Sequence, residues 1–126
     1  MRIFIACADE KLRLALLYLL DHQSSMVVAG MADRMKGLVS QLEGAQPEVL
    51  LLDWDLSSGK MLDLMGELHD LDHQMKVIVL TSKPRDNQAA LAAGAVYSIN
   101  KDAPPDELVP VLEELRNKEV KRISSR

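Results

Sequence analysis

Asp53 closes a run of four apolar residues, Val49-Leu50-Leu51-Leu52, and a second acid, Asp55, follows it. A second apolar run, Val77-Ile78-Val79-Leu80, ends on Thr81, and a fifth short strand over 96–100 is followed by Lys101. These three types complement one another. A carboxylate is a nucleophile, while a hydroxyl and an ammonium donate hydrogen bonds to phosphoryl oxygens, so the set has the parts to accept and hold a phosphoryl group. Taken singly, each has a plainer use: a strand-end Asp caps the next loop, Thr is a good strand former, and Lys is usually a solvated charge. The chemical reading depends on their standing together at the ends of three strands of one sheet.

The elements that must place them there follow from periodicity. Pro47 on one side and Ser57-Ser58-Gly59 on the other bound the run at 49–53, which is too short for a helix and suits a strand buried on both faces. The run at 76–81 reads the same way. A first strand over 2–7 leads into a helix opened by Asp9 or Glu10, with Leu12, Leu16, Leu19 and Leu20 at helical spacing. A strand over 26–31 precedes a helix from Asp33 to Glu43, stopped by Gly44. A third helix is expected to turn Met61, Leu62, Met65 and Leu68 inward. Pro84 and Asp86 are expected to break the chain before a short helix over 88–93 that Gly94 ends. A last helix starts near Pro105 or Asp106, carries Leu108, Val111, Leu112 and Leu115, and is bent or delayed by Pro110. Strands alternating with helices imply parallel pairing and right-handed crossovers, hence an α/β fold, a single doubly wound (βα)5 three-layer sandwich. In such a sheet ligands bind beyond the carboxyl ends of the strands, where Asp53 lies.

Composition narrows the function classes. At 126 residues the chain has the length of one domain, and no apolar run approaches a membrane span. The first residues enter a strand directly with no targeting stretch before them, so the expected location is the cytoplasm. The net charge of -4 argues against a basic face for nucleic acid; only 116–122 is locally basic, as a solvated helix end or a linker would be. Cys7, the one cysteine, has no internal partner and reads as a buried, inert thiol. The chain lacks a Gly-rich phosphate loop after the first strand and has no Gly-x-Gly-x-x-Gly, so an enzyme is not expected. His69 and His73, four apart, are weighed as a metal pair and read as solvated surface.

The combination Leu51-Leu52-Asp53, Val79-Leu80-Thr81-Ser82, Ala93-Gly94-Ala95 and Lys101-Asp102-Ala103-Pro104 resembles the receiver domain of two-component response regulators over essentially the whole length. The resemblance implies a CheY-like fold with flavodoxin-like strand order 2-1-3-4-5 and a receiver domain over 1–118. The stretch 119–126 would then be a C-terminal tail or the start of a linker. It implies Asp53 as phosphoacceptor, Thr81 with Ser82 as switch and phosphate-binding hydroxyls, Lys101 as phosphate-binding amine, and magnesium at Asp53 and the Asp55 carbonyl. It further implies a histidine kinase as partner and a homodimer through the face of the fourth helix, fifth strand and fifth helix. The stretch 93–108 looks most like receivers that precede a DNA-binding helix-turn-helix output domain; no membrane partner is implied.

Departures from the family pattern set a second reading beside the first. Cys7 and Ala8 stand where the family has two adjacent metal-binding acids. At about 4 Å and an effective dielectric near 20, each missing carboxylate gives up about 4 kcal/mol per unit of cation charge before desolvation. Weak magnesium binding is therefore expected. Asp9 is the one substitute at hand, weighed against its use as a helix cap. Ser57 and Met61 replace a common proline and glycine, and Ser98 stands where the family carries Tyr or Phe, with Tyr97 on the opposite face of the strand. The alternative is a degenerate, phosphorylation-independent receiver acting as an interaction or dimerisation module.

Overall fold

The computed structural model describes the backbone of residues 1–124 and the side chains of 1–118. Five strands form one parallel sheet in the order β2-β1-β3-β4-β5: β1 Arg2–Ala6, β2 Val27–Ala32, β3 Val49–Asp53, β4 Lys76–Thr81 and β5 Tyr97–Asn100. Between and after them lie α1 Glu10–Asp21, α2 Leu38–Ala45, α3 Met61–Leu71, α4 Pro84–Ala92 and α5 Leu108–Ser124. Every residue of β3 is buried, as a continuous apolar run at the sheet centre requires.

Alternation along the strands divides the core in two. Phe4, Leu50, Leu52, Val77 and Val79 face α2 and α3, meeting Leu38, Leu42, Leu64 and Leu68. Ile3, Ile5, Leu51, Ile78 and Leu80 face the other way, onto Leu16 and Leu20 of α1 and Leu108 and Leu112 of α5. The sheet is thereby covered on both sides, and its carboxyl edge stays open for a site. At β2 the register with β1 shifts between Ile3 and Phe4, setting Gly30 opposite Phe4. A Cβ on Gly30 would lie 2.7 Å from the Phe4 ring, so the bulge and the missing side chain admit the ring together.

Several elements differ from their expected limits, each for a local reason. The second helix begins at Leu38, not Asp33, because Asp33 pairs with Arg34 (2.9 Å) instead of capping, and Gly37 takes up the left-handed turn (φ 79). It runs through Gly44, and the stop falls on Gln46 (φ 47), next to Pro47, which cannot continue a helix. On α3 it is Leu64, in line with Met61, Met65 and Leu68, that is buried; Leu62, a quarter-turn round, is 75 % exposed. The fourth helix starts at Pro84, which occupies its first turn and does not break the chain. A 3-10 turn, Pro105–Glu107, precedes α5, leaving Pro110 in the first α-helical turn, where its missing N–H costs no helix bond. Helix α5 then carries the basic stretch at 116–122 onward to Ser124, past the expected boundary at 118. Residues 125–126 of the expected tail, and side chains from 119 on, lie outside the described residues.

Candidate functional site

Three strand ends bring Asp53, Thr81 and Lys101 to one rim. Asp53 is the last residue of β3, Thr81 the last of β4, and Lys101 follows β5, its N–H donating to the Thr81 carbonyl (2.8 Å). Both Asp53 and Thr81 are 1 % exposed. A carboxylate this deep needs partners. Oδ1 of Asp53 accepts from the Lys101 ammonium (2.8 Å) and from the Asp55 backbone N–H (3.1 Å), the latter closing the 3-10 turn Trp54–Ser57. Its Oδ2 accepts a longer contact from the Cys7 thiol (3.7 Å).

Lys101 also donates to Oδ2 of Asp55 (2.7 Å), so one ammonium is shared by two carboxylates. Burial works against its charge, but the hydrogen bonds and negative charge of Asp53 and Asp55 outweigh burial and hold the ammonium well above the ordinary lysine range. The Cys7 thiol is pushed up to about 11 by burial first and by the Asp53 charge second. At neutral pH it is an S–H donor. The Arg13 guanidinium, from α1, donates to the Cys7 carbonyl (2.9 Å) and closes this end of β1.

The expected metal donors are engaged with other partners. Asp9 Oδ1 accepts from the N–H groups of Lys11 (2.9 Å) and Leu12 (3.3 Å), capping α1. The Asp55 carbonyl accepts from Ser58 N–H (3.3 Å), and the Asp55 carboxylate lies on Lys101. Among the described residues no group of three or more His, Cys, Asp or Glu side chains is arranged to hold a metal ion. Magnesium takes about six oxygen ligands in a tight octahedron, and a neutral thiol, an alanine and two carboxylates sharing an ammonium supply a poor part of that set.

Ser82 is exposed beside Thr81. Tyr97 packs with the α1 and α5 core while Ser98 turns to the other face, as alternation requires. What the sequence did not single out is Asn87. Its Oδ1 accepts from the Thr81 hydroxyl and from the Ser98 hydroxyl (2.6 Å), joining the end of β4 and the second residue of β5 to the first turn of α4. The available signal was Pro84: read as a helix start, it puts Asn87 on the sheet-facing side of the next turn.

Against known proteins, the family model described as "Response regulator receiver domain" matches residues 3–113. The transcriptional regulatory protein DesR of Bacillus subtilis is 28 % identical over 91 % of the chain, and the uncharacterized transcriptional regulatory protein YxjL of the same organism is 24 % identical over 88 %. The chain spans 58 % and 53 % of their lengths. The isolated REC domain of RcsB from Salmonella enterica, solved with the phosphomimetic BeF3-, superposes with a TM-score of 0.82 at 20 % identity, over 93 % of this chain and 88 % of that one.

Proposed function

Because the chain belongs to the response regulator receiver domain family, we propose that it receives a phosphoryl group on Asp53 from the phosphohistidine of a histidine kinase. An Asp53 oxygen forms the O–P bond as the P–N bond breaks, its electron pair leaving with the imidazole nitrogen, which takes a proton from solvent. The observation that carries this reading is the buried Asp53 carboxylate paired with the Lys101 ammonium at 2.8 Å, at the carboxyl edge of the sheet. Oδ2, held only by the long thiol contact, keeps lone pairs for attack, and Lys101 is placed to offset charge on the incoming group. Thr81 and Ser82 supply hydroxyls at the same rim. Magnesium, which receivers generally bind, would associate weakly here, at Asp53 and the Asp55 carbonyl, since Cys7 and Ala8 bring no charge and Asp9 is engaged as a cap.

That same donor set favours a second reading, a degenerate receiver whose partner choice is independent of phosphate. Under either, it works in the cytoplasm as a signalling module, with the receiver over 1–118 and 119–126, into which α5 continues, as a C-terminal tail or the start of a linker to a DNA-binding output domain, in keeping with DesR being a transcriptional regulator of greater length. Trp54, next to Asp53, reports on the choice. Beryllofluoride with rising magnesium should quench Trp54 fluorescence in the native chain only at high magnesium, and in Cys7→Asp/Ala8→Asp at much lower concentration. A native chain that stays flat while the double variant responds would establish the degenerate reading; silence in both would remove Asp53 as acceptor.

A further inference from the structure

Helix α4 is unusual in how little apolar surface holds it. Ala90 is its one buried residue among those described, and Leu91 is 49 % exposed. Its N-cap, Lys83, makes no side-chain cap bond. Its firmest side-chain link to the sheet is polar: Asn87 Oδ1 accepts from Thr81 at the end of β4 and from Ser98 in β5. An amide oxygen has two lone pairs and each hydroxyl has one proton, so this acceptor is filled and Thr81 has no proton left for another acceptor.

From this geometry we infer that Asn87 is a positioning residue, fixing the Thr81 hydroxyl on α4 and making the hold of α4 on the sheet depend on where that hydroxyl points. In the functional reading above, on which this part rests, a phosphoryl group on Asp53 competes with Asn87 for the Thr81 proton. Thr81 turning to the phosphoryl oxygen gives up one of the two bonds, and α4, with one small buried side chain, loosens. Ser98 makes the node possible: a small hydroxyl in β5 reaches Asn87, where a ring at that position would fill the same space.

The test uses the full chain with Asn87→Ala, Thr81→Val, the two combined, and Asp86→Asn/Asn87→Asp, which keeps an acceptor at position 87 without changing net charge. Urea unfolding should show the first two changes to be non-additive by about fivefold in the unfolding constant, the worth of one neutral hydrogen bond. Amide exchange in α4 should quicken in Asn87→Ala, stay unchanged in β1 and β3, and return to the native rate in the charge-conserving variant. Additive effects, or α4 exchange unmoved in Asn87→Ala, would overturn the inference. Where the native chain binds beryllofluoride, Asn87→Ala should bind it about fivefold more tightly, because Thr81 is released; equal or weaker binding would also overturn it. If no variant binds beryllofluoride, the phosphoacceptor reading fails, and the unfolding and exchange results still decide the role of Asn87.

Discussion

Cys7 is the residue at which this pocket departs furthest from an acidic one, and it leaves a measurable trace. Burial and the Asp53 charge raise the thiol from 9.0 to about 11, so the folded state holds its proton more tightly than the unfolded chain does. The stabilisation is complete below pH 9.0 and is lost as pH rises to about 11, where the unfolded chain has already released the proton. Stability followed by urea midpoint should fall across that window, and Cys7→Ala should flatten the fall. Lys101, also raised, contributes a loss that begins only above its ordinary value of 10.5 and persists in the variant. An unchanged slope in Cys7→Ala would mean that folding does not raise the thiol, by burial or by the Asp53 charge. Asp53, Thr81 and Lys101 were legible in the sequence because each ends or directly follows a stretch that reads as a strand. The double engagement of Lys101 was not, because the resemblance gives Asp55 a role only through its carbonyl and no periodicity reports where its side chain turns.

Among the elements, the strands were easier to read than the helices that cover them. Val49–Asp53 and Lys76–Thr81 are continuous apolar runs, and burial on both faces leaves such a segment few alternatives. Helix limits depended on single residues with two possible uses. Pro84 starts a helix as readily as it breaks one, and taking it as a break hid Asn87. Asp33, a plausible cap, is drawn off by its neighbour Arg34. Gly30 was likewise silent in the sequence, since its requirement comes from Phe4 across the β1–β2 register shift. With a Cβ at 2.7 Å from the ring, Gly30→Ala forces Phe4 off its place between β2 and α2. A loss of about 1–3 kcal/mol is expected for such overpacking, read as a lower urea midpoint at unchanged m-value. A neutral result would mean that the β2 edge moves outward freely.

For the whole molecule, the doubly wound sheet separates a polar carboxyl rim from two covered faces, and its surface decides what it can meet. No helix among the described residues is long and apolar enough to cross a membrane, and the net charge is -4. Exposed apolar side chains do occur around the α4 and β5 side: Leu91 at 49 % and Val96 at 37 %. Leu108 is no part of that surface; at 2 % exposure it belongs to the core under α1 and α5, so a change there tests folding and not association. The homodimer that the family resemblance implies through α4, β5 and α5 is therefore best probed at Leu91. Leu91→Glu should lower the dimer fraction seen by sedimentation at a concentration where the native chain associates, because a charge without a partner at the centre of an interface disfavours it. Leu62→Glu is the control, also apolar and, at 75 % against 49 %, the more exposed of the two, but carried by α3. It should leave sedimentation unchanged. Since Asn87 fastens the same helix, Asn87→Ala should also alter the dimer fraction, while Gly30→Ala at the far edge of the sheet should not. A dimer that survives Leu91→Glu and dissociates with Leu62→Glu would move the interface to α3 and disconnect α4 from assembly.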